Sequence, residues 1–122
     1  MIIKKVIIIS FIIAFCGQAE VQFIPENISY DLRGYVEDVK LDSNNEVVSL
    51  LVNGKYLLQE GYDYGWAAIT SKTEIFLNGT KMDKYYFEPN KYIIVYIVFD
   101  GAVAESYPVQ GGALEIYIEK EN

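Results

Sequence analysis

The chain has 122 residues, a formal charge of −7, no histidine, and a single cysteine, Cys16. The acidic balance disfavours nucleic acid and anionic lipid as partners, and the missing imidazole removes the commonest general base and the commonest transition-metal ligand. A lone cysteine allows no internal disulfide, while 52% hydrophobic and 15% aromatic residues, with 11 tyrosines, set the chain apart from disordered compositions.

Residues 1–19 read as a signal peptide. Met1-Ile2-Ile3-Lys4-Lys5 is a basic start, residues 6–15 are an apolar run, and Gly17-Gln18-Ala19 supplies the small residues of a cleavage site. The run is shorter than the roughly 20 residues that span a bilayer. Cleavage after Ala19 predicts a secreted, extracytoplasmic protein, and losing two lysines and no acid takes its charge from −7 to −9. The alternative is a lipoprotein box, Ile13-Ala14-Phe15-Cys16, with Cys16 lipidated and the chain anchored to the outer face of the cytoplasmic membrane. Phe15 stands where that box requires a small residue, which favours free secretion.

Residues 20–32 are a lead-in, and residues 33–122 form one small domain. Residues 33–41 are rich in strand formers and stop at the turn cluster Asp42-Ser43-Asn44-Asn45; residues 47–52 resume as a strand. Asn53-Gly54 carries a type I′ hairpin signal that predicts a returning strand over residues 55–58. From Trp66 to Leu77 the odd positions Ala67, Ile69, Ile75 and Leu77 are apolar and the even positions include Thr70, Lys72 and Glu74, the period of a half-wet strand ended by Asn78-Gly79.

Residues 81–87 are the only stretch suited to a helical turn or two, closed by Pro89-Asn90. Residues 92–99 are apolar on both faces and predict a central strand. Asp100-Gly101 is a second hairpin signal, with residues 102–107 pairing back until Pro108. Leu114, Ile116 and Ile118 alternate with Glu115, Tyr117 and Glu119 in a last strand, its apolar members inward. Five to six short strands and one short helical element behind a signal peptide predict an all-β fold, a small OB-like β-barrel, with an open sandwich as the alternative.

Gly34-Tyr35-Val36, Ser49-Leu50-Leu51-Val52, Ala67-Ala68-Ile69 with Thr73-Glu74-Ile75, and residues 95–101 followed by Ala104-Glu105-Ser106-Tyr107-Pro108 carry a family resemblance. In these runs the chain resembles the small exported bacterial family called domain of unknown function 3221, with Glu-Ser-Tyr-Pro the most specific part. The resemblance spans residues 33–119. It implies an OB-like barrel behind a signal or lipoprotein leader, and no established activity.

No catalytic, metal or cofactor site is expected. Glu37 and Asp38 are strand neighbours that point to opposite faces and cannot oppose each other across a sugar. Ser106 has neither a histidine nor a nucleophile elbow. The oxygen-rich run from Asp42 to Glu46 lacks the glycine and the spaced glutamate of a calcium loop. Asn27-Ile28-Ser29 and Asn78-Gly79-Thr80 match the N-glycosylation pattern, which bears only on a eukaryotic host.

The informative feature is aromatic placement. If Ala67, Ile69, Ile75 and Leu77 face the core, alternation sets Tyr62, Tyr64 and Trp66 together on the outer face, and Tyr92, Tyr96 and Tyr117 also point outward. Large exposed aromatics mark a covered surface or a binding patch. The expectation is a non-enzymatic, extracytoplasmic binding module with Tyr62, Tyr64 and Trp66 as ligand-binding residues. Its partner is a protein, peptide or glycan of the cell envelope, with membrane contact only through a lipidated Cys16. The alternatives are a cell-envelope enzyme working through carboxylates and an inhibitor or accessory of another exported protein.

Overall fold

The computed structural model describes residues 29–57 and 59–120. The leader, its cleavage site and Cys16 lie outside the described residues. Six strands follow in order: β1 (Leu32–Leu41), β2 (Val47–Asn53), β3 (Tyr64–Leu77), β4 (Thr80–Met82), β5 (Asn90–Phe99) and β6 (Val109–Glu119). Spatially they run β2-β1-β5-β6-β3-β4, and β2 also pairs with β3. That last pairing closes β1, β2, β3, β6 and β5 into a five-stranded barrel, with β4 an extra strand on β3. The β3/β6 pairing is parallel and all others are antiparallel.

Alternation fills the interior. Leu32, Val36, Leu50, Val52, Ala67, Val95, Ile97, Ile116 and Ile118 form one buried cluster, in which burial of each large aliphatic side chain contributes about 2 kcal/mol. Closure brings backbones close together at Gly34, where a side chain would overlap the carbonyl of Asn53. Tyr96 and Tyr117 do point outward, yet both are buried. They face each other across β5 and β6, Tyr30 packs edge-on against Tyr96, and Phe76 stacks on Tyr117 at 4.8 Å. Tyr92, by contrast, is 90% exposed.

The described residues contain no helix, so the expected helical element over residues 81–87 is corrected. Asn78 and Gly79 both take positive φ, the two-residue turn that folds Thr80 back onto Leu77 and commits residues 80–82 to a hairpin. The chain then runs on without regular structure, and Phe87 takes the plug position, buried in the core cluster.

Three further local expectations are overturned. Asn53-Gly54 makes no tight hairpin, because neither residue has positive φ and Asn53 ends β2 opposite Tyr64. Residues 55–57 form a turn instead of a returning strand, and Leu58 lies outside the described residues. After Asp100-Gly101 the chain does not fold straight back. Phe99 pairs with Ala113, the Asp100 amide donates to the Gly112 carbonyl, and the backbone of residues 102–107 pairs with the sheet through an isolated Ala104/Gln110 bridge. Val103, packed against the core, draws this loop over the barrel end.

Leu114, finally, points out and is 37% exposed. A register shift lets Ala113 and Ile116 both face inward, while residues 70–73 of β3 bulge opposite it, held by Thr73 Oγ1 donating to the Ala113 carbonyl at 2.6 Å.

Candidate functional site

Ala67 is buried, and Ile69, Ile75 and Leu77 pack against the core, so Tyr64 and Trp66 stand on the outer face of β3. They are half-buried there. Beside them on β2 lie Leu51, paired with Trp66, and Asn53, paired with Tyr64; on β1 lie Tyr35, Glu37 and Lys40.

Glu37 is the hub of this face. A register shift between Val36 and Asp38 lets Glu37 and Asp38 both be exposed, which corrects the expectation that the two point to opposite faces. The Glu37 carboxylate accepts the Tyr64 hydroxyl at 2.9 Å and Asn53 Nδ2 at 2.6 Å, and Asn53 Nδ2 also donates to the Tyr35 hydroxyl at 3.3 Å. The Tyr35 ring packs against Tyr56 at 5.6 Å, and Tyr64 packs against Tyr107 at 5.5 Å. Tyr107 donates to Asp63 Oδ1 at 3.3 Å.

Both β3 rings carry a cation. Lys40 Nζ sits 4.4 Å from the centre of the Trp66 ring, and Lys55 Nζ sits 4.0 Å from that of Tyr64. The bond to Glu37 is the chief cause that raises the Tyr64 phenol above its ordinary value, while burial, followed by Asp63, does so for Tyr107. These hydroxyls therefore stay protonated near neutral pH and serve as hydrogen-bond donors. The face offers two rings, a carboxylate and two ammonium groups, with the buried Asn53 amide bracing the carboxylate from beneath.

Tyr62 does not join it. Gly61 has positive φ, and Tyr62 bridges to Leu32 ahead of β3, so alternation does not extend back that far. The ring packs edge-on to Phe99 at 6.1 Å, and the hydroxyl donates to Glu105 Oε2 at 2.6 Å, which is the main reason its pKa is raised. Of the three residues predicted to act together, two are neighbours and the third belongs to the barrel end.

Tyr35, Tyr56 and Tyr107 were not anticipated. Parity in the first strand places Tyr35 opposite in face to Val36, but no local signal brings Tyr56 or Tyr107 here from their loops. The Asp42 carboxylate is engaged within its own turn, accepting the amides of Asn44 and Glu46 at 2.8 and 3.0 Å. Among the described residues no three His, Cys, Asp or Glu side chains are grouped to hold a metal ion. No known protein family, curated protein or solved structure matches this chain.

Proposed function

We propose that this chain is an exported, non-enzymatic binding module of the OB type, and that the outer face of β1, β2 and β3 takes an oligosaccharide of the cell envelope. The observation that carries this reading is the Glu37-Asn53-Tyr64 hydrogen-bond network set beside the Trp66 ring. A pyranose has an apolar face that stacks on such rings and hydroxyls that both donate and accept. Here Glu37 accepts, held in place by Asn53, and the two lysines donate, and a neutral ligand leaves none of these charges opposed by its own. A polyanion meets a chain whose secreted form, two leader lysines fewer than the full sequence at −7, carries −9.

OB barrels present ligands to the face of their second and third strands, and the order of closure, β1-β2-β3-β6-β5, supports assignment to that type. Membership of the domain of unknown function 3221 family, export by the leader and free secretion belong to the same reading. Intact-mass spectrometry of the native protein tests the leader: a chain beginning after Ala19 supports secretion, a diacylglycerol on Cys16 replaces it with anchoring, and a retained Met1 refutes export.

Binding is read from the fluorescence of Trp66, the single tryptophan. Soluble oligosaccharides released from the cell envelope should quench it saturably, and Trp66→Ala should abolish binding measured by calorimetry while the circular dichroism spectrum is retained. No binding to the wild type, or undiminished binding to a folded Trp66→Ala variant, refutes the assignment.

A further inference from the structure

The barrel end crossed by residues 83–87 is only partly plugged. Phe87 fills the centre, and beside it a cavity of about 570 Å³ lies between the β1–β2 turn, the β3 bulge and residues 83–86. Its volume lies within the range of small-molecule sites, which form readily in barrel mouths. The floor includes Val47, Ile69 and Ile75, inward side chains that pack against the core. The rim carries Glu46 and Asp83 with one cation, Lys84, and the rings of Tyr85 and Tyr86; Tyr86 is 70% exposed.

We propose that this mouth binds a small organic cation with an apolar body, its tail on Val47, Ile69 and Ile75 and its ammonium between the Glu46 and Asp83 carboxylates beside the tyrosine rings. Among the described residues neither carboxylate has a protein partner, so Lys84 leaves the rim net negative on a chain that is itself acidic. The rings of Tyr30, Tyr64 and Trp66 each have a cation of the protein itself over them. Among the described residues no protein cation lies over Tyr85 or Tyr86; Tyr85 is half-buried against Phe87, while the exposed Tyr86 ring is open to a cation from outside. An anionic head meets two carboxylates, and a neutral hydroxyl can donate a hydrogen bond to one of them but gains no charge attraction.

The proposal stands independently of the oligosaccharide assignment, since its residues are separate from the Trp66 face. Calorimetry on the secreted protein with hexylammonium, hexanol and hexanoate holds the tail constant and varies the head. Hexylammonium should bind saturably, about tenfold more tightly than hexanol, and hexanoate should not bind. The preference for the amine should shrink with added salt, disappear in the folded Glu46→Gln/Asp83→Asn double variant, and persist in Trp66→Ala. If that double variant does not fold, the salt titration of the wild type decides. Equal binding of hexanol, any binding of hexanoate, no binding of the amine, or a preference insensitive to salt overturns the proposal.

Discussion

Glu37 on β1 accepts the hydroxyl of Tyr64 on β3 at 2.9 Å, across the width of β2 and 27 positions of sequence. Alternation after the buried Val36 sets Glu37 on the outer face with Tyr35, and Asn53 holds its other carboxylate oxygen.

Glu37→Gln removes the negative charge and keeps an acceptor oxygen. Its main effect is expected on Tyr64, whose phenol is raised chiefly by this bond. The Tyr64 titration, followed by NMR of the ring, should move down in pH while the fold persists. An unchanged titration would mean that the bond is absent in solution.

Phe87→Ala tests the plug. Phe87 is 3% exposed and belongs to the main core cluster, so truncation should cost about 3 kcal/mol through lost burial and a cavity. Urea unfolding reads this directly, and a loss below about 1 kcal/mol would place the side chain outside the core.

Gly34→Ala and Gly101→Ala should differ in severity for different reasons. At Gly34 the new methyl overlaps the β2 backbone, which cannot yield without opening the barrel, so a loss of about 3 kcal/mol is expected. At Gly101 nothing lies within 4 Å, and only its positive φ of 78° is penalised, at about 1 kcal/mol. Equal losses in urea unfolding would contradict the barrel closure described here.

Alkaline pH should unfold the protein through Tyr96 and Tyr117. Burial is the leading cause that pushes both phenols from 10.0 up to about 12, with Glu119 and Glu115 adding to it. A folded-state value above the unfolded one favours the neutral phenol in the native state. The stabilisation is therefore complete below pH 10 and is lost as pH rises through about 12. Phenolate absorbance should rise together with loss of the circular dichroism signal in that window. Ionisation of all tyrosines near pH 10 with the fold intact would contradict their burial.

What could be read from residues alone was what depends on neighbours in the chain. The alternation of Ala67, Ile69, Ile75 and Leu77 is a property of one strand, and it correctly placed Tyr64 and Trp66 outside. Asn78-Gly79 is a turn whatever surrounds it, because the two residues tolerate positive φ by their own chemistry. The all-β class follows from the same local signals.

What only the tertiary structure decided was every point at which a partner strand overrides alternation. Tyr62 left the outer face because its backbone bridges Leu32, Asp38 is exposed beside Glu37 because of a bulge set by pairing with β2, and Leu114 turned out because β3 bulges opposite. Residues 83–87 form no helix: the Asn78-Gly79 turn commits residues 80–82 to the β4 hairpin, and Phe87 is buried in the core. Side-chain period is encoded residue by residue, whereas register shifts and plugs are set by the free energy of closing a barrel, to which distant strands contribute and which no local window contains.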